Sequence, residues 1–169
     1  FFLSLDVQPR ADCHEKKNRS YFLWEFGKVP EVVVEIVSNR EGGELGHKLD
    51  GYARMGVLYY VVYDPQLKLK GATLRVFVLR DGEYQELDRP YLSRVGLGLK
   101  LWDGVFEDRE DTWLRWCDEQ GNVILTGEER ARMEAERADY EATARLDAEN
   151  RAAQLAAKLR ELGVDPDQL

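Results

Sequence analysis

The stretch EVVVEIVSNREGGELGHKLDGYARMGVLYYVVYDP, residues 31–65, decides the fold of this chain. It begins and ends with apolar runs rich in β-branched residues, and each run is typical of a buried strand. Between the runs, apolar residues recur at helical spacing from about Glu44 to Met55, and Gly56 is a natural helix stop. A strand, a helix and a second strand joined by a short turn predict a βαβ unit with two parallel, neighbouring strands.

A single carboxylate interrupts the first of these runs. Glu35 lies at the centre of VVVEIVS, residues 32–38, and strand alternation places it on the same face as Val33 and Val37. An isolated ionised carboxylate in a low-dielectric interior costs many kcal/mol unless it is paired, protonated or bound to a metal. We therefore expect a partner for Glu35.

Lys48 is the candidate partner that the next helix offers. It borders the apolar stripe of that helix instead of facing solvent squarely. The stripe consists of Leu45, Leu49, Tyr52 and Ala53. Two interpretations follow: Glu35 and Lys48 form a buried ion pair, or they share a phosphate and a metal ion.

Short apolar segments on both sides of this unit predict further strands. Upstream, FFLSLDVQ (1–8) and YFLWEF (21–26) are interpreted as strands, separated by a polar loop at 10–20 that carries several cations. Downstream, alternating segments around turns predict antiparallel strands that extend or cover the sheet. They are TLRVFVLR and YQEL around the turn at 81–83, GLGLKLWDG (96–104) and TWLRWCDEQGNVIL (112–125).

The composition changes at Thr126, where a segment rich in Ala, Glu and Arg begins. Thr126 with Glu129 three residues later matches a capping box and predicts the start of a long helix. Leu155, Leu159 and Leu162 form a short apolar seam on it, which suits either a solvated tail or a weak coiled coil joining two copies. We therefore predict one domain over 1–125 and a helical tail over 126–169.

Bulk properties exclude some classes of function. The net charge of −8 argues against a protein that coats DNA without sequence preference. No stretch approaches the roughly 18 consecutive apolar residues of a membrane span. Cys13 and Cys117 lie far apart, which favours a reduced, cytoplasmic protein.

The stretch from Trp24 to Pro65 resembles the Uma-type restriction endonuclease proteins, a branch of the PD-(D/E)XK nuclease superfamily. The matching pieces are Pro30-Glu31, Glu35, Ser38, Lys48-Leu49, Tyr52-Ala53, Gly56-Val57 and Asp64-Pro65. The resemblance is close over 1–65 and looser to about residue 125. It implies an α/β fold: a restriction-endonuclease-like mixed sheet flanked by helices, with added antiparallel strands and the long C-terminal helix.

The resemblance also implies a Mg²⁺-dependent DNA endonuclease, with Mn²⁺ as a possible substitute. Glu35 matches the strand carboxylate that holds the cation, and the carbonyl of Ile36 is the expected second oxygen ligand. Lys48 matches the lysine that orients the attacking water and stabilises charge on the phosphate. The superfamily motif has its lysine two residues after the acid, where this chain has Val37.

Two further expectations concern completeness and partners. The resemblance places the family's first metal-binding Asp, from a Pro-Asp pair, immediately before Phe1, so we expect an N-terminal helix and first strand upstream of the given sequence. DNA is the expected partner of the site, and the cations beside it are Arg10, Lys16, Lys17 and Arg19. The alternative is an inactive nuclease fold that serves as a binding or assembly module and dimerises through its C-terminal helix.

Overall fold

A computed structural model describes residues 1–8, 21–38 and 43–163 of the chain. The chain divides into two compact units, Phe1–Ile124 and Leu125–Leu169. The elements of the first unit are, in chain order, β1 (Phe2–Leu3), α1 (Leu23–Phe26), β2 (Val32–Ile36), α2 (His47–Met55), β3 (Tyr59–Tyr63), β4 (Leu74–Arg80), β5 (Glu83–Glu86), β6 (Tyr91–Leu92), β7 (Leu97–Phe106) and β8 (Arg109–Cys117).

Five strands form a mixed sheet in the order β1-β2-β3-β4-β5. Strands β2 and β3 are parallel, with Val32 opposite Tyr59 and Glu35 opposite Val62, and the other neighbours are antiparallel. Helix α2 connects the two parallel strands and ends at Gly56, whose φ of 82° is left-handed. The predicted βαβ unit is thus confirmed, with the helix beginning at His47 instead of Glu44.

The remaining strands form a second, antiparallel sheet in the order β6-β7-β8. Asp81 and Gly82 turn the β4–β5 hairpin with φ values of 50° and 85°, as a type I′ turn requires. Leu92 and Leu99 of the second sheet are buried against the five-stranded sheet. The predicted antiparallel strands therefore cover the mixed sheet as well as extend it.

Two apolar cores lie on opposite faces of the five-stranded sheet. Val32 and Val34 of β2 belong to the core shared with the second sheet, which we call the inter-sheet core. Val33 and Val37 belong to the core shared with Leu49 and its neighbours on α2, which we call the helix-side core. The alternation predicted for the VVVEIVS run is confirmed, and Glu35 shares its face with the helix-side core.

The prediction of a long first strand over 1–8 is wrong. Only Phe2–Leu3 forms a strand, β1, which pairs with β2 in the antiparallel sense. Asp6 has a φ of 57°, a left-handed conformation that a continuing strand does not adopt. The chain turns away from the sheet there, and Asp6 lies outside the strand.

The prediction of a strand over 21–26 is also wrong. Leu23–Phe26 form a single helical turn, α1, which ends at Gly27 with φ of 70°. Both edges of β2 are already occupied, by β1 and by β3, so this segment has no edge of β2 to join. The rings of Tyr21 and Phe26 stack on each other at 4.5 Å, so the segment packs on itself. The polar loop predicted at 10–20 lies outside the described residues.

The second unit contains one long helix, α3 (Gly127–Glu161), of 35 residues. Thr126 caps it: its side chain accepts a hydrogen bond from the Glu129 amide at 3.2 Å, and its own amide donates to Glu129 Oε2 at 2.7 Å. The predicted capping box is thus confirmed. No residue of α3 is buried. In the part of the chain that the structure describes, no helix has the length and apolar character needed to cross a membrane.

Candidate functional site

Glu35 lies where β2 leaves the core. The first three residues of the strand are buried, whereas the Glu35 side chain is 22% exposed and Ile36 is 44% exposed. Strand β1 pairs with this part of β2 up to Val34, which lies opposite Phe1. In the described part of the chain, the Glu35 side chain is therefore partly exposed and not fully buried as predicted.

Lys48 is a direct partner of Glu35. Its Nζ atom lies 3.2 Å from Glu35 Oε2, and the Tyr52 hydroxyl donates to Glu35 Oε1 at 2.8 Å. Lys48 and Tyr52 are four residues apart on α2, the spacing that places two side chains on the same helix face. One face of α2 therefore holds both oxygens of the Glu35 carboxylate.

Glu44 is a member of the site that the sequence interpretation missed. Its Oε1 lies 3.2 Å from Lys48 Nζ, and its side chain is only 4% exposed. The Tyr60 hydroxyl donates to the Glu44 backbone carbonyl at 2.9 Å. Its spacing of four residues before Lys48 is a signal that could have found it, because that spacing favours ion pairs on helices.

The surroundings of Lys48 and Tyr52 change their acidity. Burial lowers the pKa of Lys48, but its hydrogen bonds to Glu35 and Glu44 outweigh this and hold the pKa above its ordinary value. Burial, together with the hydrogen bond to Glu35, raises the pKa of Tyr52 to about 12. At neutral pH, Lys48 is therefore an ammonium ion and Tyr52 a neutral hydrogen-bond donor.

The carboxylates of this site have the chemistry that a hard cation prefers. Glu44 contacts Lys48 through Oε1, whereas its Oε2 is buried and has no hydrogen-bond partner among the described residues. The described parts of the chain contain no group of three or more His, Cys, Asp or Glu side chains placed to hold a metal. Glu35, at the partly exposed end of β2, and the backbone carbonyl of Ile36 are the oxygen donors that could hold Mg²⁺, with waters completing its coordination.

Two other polar features of the sequence do not join this site. Asp64 is only 2% exposed, but its two oxygens accept the amides of Lys68 and Leu69 at 2.9 and 2.7 Å, so it stabilises the turn after β3. The predicted cationic contacts with DNA lie outside the described residues. They are Arg10, Lys16, Lys17 and Arg19.

Comparison with known proteins identifies a family. Residues 8–97 match the model of the Uma2 family, which is described as putative restriction endonuclease. The matched region is more than half of the chain and contains β2, α2 and β3, which carry Glu35 and Lys48. No curated protein and no solved structure gives a significant match. The mixed α/β architecture agrees with the predicted restriction-endonuclease-like fold, and the chain belongs to the Uma2 family of restriction-endonuclease-like proteins.

Proposed function

We propose that this protein is a Mg²⁺-dependent endonuclease that hydrolyses phosphodiester bonds in DNA. Glu35 binds the cation, the carbonyl of Ile36 is a second ligand, and Mn²⁺ can replace Mg²⁺. The observation that carries the proposal is the contact between the Glu35 carboxylate and the Lys48 ammonium, at 3.2 Å, at the exposed end of a buried parallel strand. Membership of a restriction endonuclease family agrees with it.

The pairing of β1 with β2 defines which position of the strand ladder lies beside Glu35. The Phe1 amine donates to the Val34 carbonyl at 2.7 Å, and the Val34 amide donates to the Phe1 carbonyl at 2.8 Å, so these residues form a hydrogen-bonded pair. The next pair in an antiparallel ladder is of the close, non-hydrogen-bonded kind. In this register a residue preceding Phe1 is opposite Glu35 on the same face. From the family resemblance we expect a metal-binding Asp at that position, and it would complete the site with Glu35.

The direction of the Ile36 carbonyl supports its role as a ligand. Alternate residues of a strand direct their backbone groups to opposite edges. Val34 bonds to Phe1 on the β1 side, and Val37 donates to the Tyr63 carbonyl on the β3 side. The backbone groups of Ile36 therefore point to the β1 side, next to the position that precedes Phe1.

Each residue has a distinct role in the proposed reaction. A bound divalent cation supplies Lewis-acid chemistry, lowering the pKa of a water and polarising the phosphate. Lys48, held as an ammonium ion by its raised pKa, orients the attacking water and stabilises negative charge on the phosphate instead of acting as a base. Tyr52 donates to Glu35 Oε1 and so fixes the orientation of the carboxylate.

The proposal is tested by calorimetric titration with Mg²⁺ and Mn²⁺. We expect Glu35→Gln to weaken cation binding by at least tenfold, because it removes the charge and one oxygen ligand. Glu31→Gln is the matched control, since Glu31 pairs with Lys28 outside the site. A chain extended by Pro-Asp before Phe1 is expected to bind more tightly than one extended by Pro-Asn. Equal affinities for wild type and Glu35→Gln would contradict the proposal.

A second candidate is an assembly module that forms a homodimer through α3. The observation that favours it is a helix of 35 residues that buries none of them within its own unit. Leu155 and Leu162, on the predicted seam, are 63% and 78% exposed. Pairs such as Arg137 with Glu141 stabilise the helix itself but leave this seam available. Pairing of two seams as a short coiled coil would cover these leucines.

Sedimentation equilibrium tests this second candidate. Wild-type protein is expected to sediment as a dimer, and the double variant Leu155→Glu, Leu159→Glu as a monomer, because four buried charges would face each other across the seam. Ala157→Glu is the control, as Ala157 lies on the opposite side of the helix from Leu155. A wild-type protein that remains monomeric at high concentration contradicts the module.

A further inference from the structure

We infer that Glu44 is a positioning residue, which keeps the Lys48 ammonium in place while Glu35 binds the cation. The inference rests on the proposed function. Glu44 is not one of the proposed cation ligands, which are Glu35 and the carbonyl of Ile36. Its role would explain a feature of Glu44 that cation binding alone does not require. That feature is the buried Glu44 carboxylate, one oxygen of which has no hydrogen-bond partner among the described residues.

The geometry shows how Lys48 is shared. Its Nζ atom is equally distant, at 3.2 Å, from Glu35 Oε2 and Glu44 Oε1. A cation that binds Glu35 withdraws negative charge from this pair and repels the ammonium. Without a second carboxylate, the long and flexible Lys48 side chain would lose its anchor when the cation binds.

Glu44 has the spare capacity that this role needs. Its side chain is only 4% exposed, and Oε2 has no hydrogen-bond partner in the described part of the chain. A buried polar atom without a partner requires an explanation in a native fold. When Lys48 releases Glu35, one of its three N–H groups can turn to Glu44 Oε2, so that both oxygens of Glu44 hold the ammonium.

Hydrogen bonds that do not involve the Lys48 side chain hold the backbone around Glu44. Tyr60 lies in the central part of β3, and its hydroxyl donates to the Glu44 carbonyl at 2.9 Å. The amides of Gly46 and Lys48 both donate to the Gly43 carbonyl, at 3.0 and 3.2 Å. Gly43 has a φ of 66°, and a Cβ atom there would lie 2.2 Å from the His47 ring. These hydrogen bonds fix the backbone of the turn before α2, from which the Glu44 side chain extends.

The experiment measures how fast Lys48 is acetylated by N-hydroxysuccinimide acetate, with and without saturating Mg²⁺. Peptide mass spectrometry gives the rate at Lys48 relative to Lys28, which pairs with Glu31 and serves as the internal standard. Calorimetry on the same samples sets the saturating Mg²⁺ concentration for each variant. The chains compared are wild type, Glu44→Gln and the conservative Glu44→Asp.

We expect Mg²⁺ to change the rate at Lys48 by less than twofold in wild type and to raise it several-fold in Glu44→Gln. Glu44→Asp, which keeps the charge, is expected to restore most of the protection. A merely structural role for Glu44 would not make the rate depend on Mg²⁺. If Mg²⁺ binds and the rate in Glu44→Gln does not rise, the inference is overturned and the proposed function stands. If no variant binds Mg²⁺, both are overturned.

Discussion

Replacing Lys48 by alanine is expected to slow Mg²⁺-dependent DNA cleavage by about 10²–10³-fold, the usual effect of removing one preorganised donor from a site of developing charge. The ammonium lies 3.2 Å from Glu35, so it would be close to a phosphate bound through the same cation. The charge it would neutralise appears mainly in the transition state, so the loss should fall on kcat more than on KM. Initial cleavage rates at saturating Mg²⁺ measure this effect.

Lys28→Ala is the matched control for that measurement. Lys28 is also a half-buried lysine paired with a glutamate, Glu31, but neither residue touches Glu35. We expect Lys28→Ala to leave the cleavage rate within about twofold of wild type, because surface ion pairs contribute little. Comparable losses in both variants would indicate general destabilisation and contradict the role of Lys48.

Replacing Tyr60 by alanine is expected to lower the free energy of unfolding by about 3–5 kcal/mol, as for other large buried rings. Tyr60 is fully buried in the middle of β3. Its ring lies 5.3 Å from that of Tyr52 and 5.7 Å from that of Tyr84, so its removal leaves a cavity in the helix-side core. Urea unfolding followed by tryptophan fluorescence measures the change.

Tyr60→Phe separates the hydroxyl from the ring. Only the hydrogen bond to the Glu44 carbonyl, at 2.9 Å, is lost, so we expect a decrease of about 1 kcal/mol in the free energy of unfolding. If Tyr60→Phe destabilises the protein as much as Tyr60→Ala does, the packing argument fails. The contribution of Tyr60 to stability would then come mainly from the hydrogen bond between its hydroxyl and the Glu44 carbonyl.

The central part of the fold could be predicted because two periodicities are strong there. Alternation in β2 and the helical spacing of Leu45, Leu49 and Tyr52 both reflect burial on defined faces, and the structure has both. The prediction that Lys48 meets Glu35 followed from the same spacing, and their contact is present. Helix α2 ends at Gly56 as predicted, because glycine readily adopts the left-handed conformation that ends a helix, whatever its tertiary surroundings.

The features that the sequence did not reveal depend on tertiary context. YFLWEF is apolar enough for a strand, and only the occupied edges of β2 exclude that outcome. The occupants of the two sides of β2 come from distant parts of the chain, β1 on one side and β3 on the other, and no local pattern records them. Glu44 joins the site because its side chain is buried next to Lys48, and the sequence does not reveal that burial.

The opposed cores on the two faces of β2 have a consequence for how this family can diverge in length. Side chains alternate along a strand, so inserting or deleting one residue between Pro30 and Glu35 would exchange the faces. The carboxylate would then enter the inter-sheet core, and a valine or isoleucine would meet Lys48. Length variation should therefore accumulate in exposed turns such as Asp81-Gly82. Within β2 we expect the number of residues to stay constant, even where one aliphatic side chain could replace another.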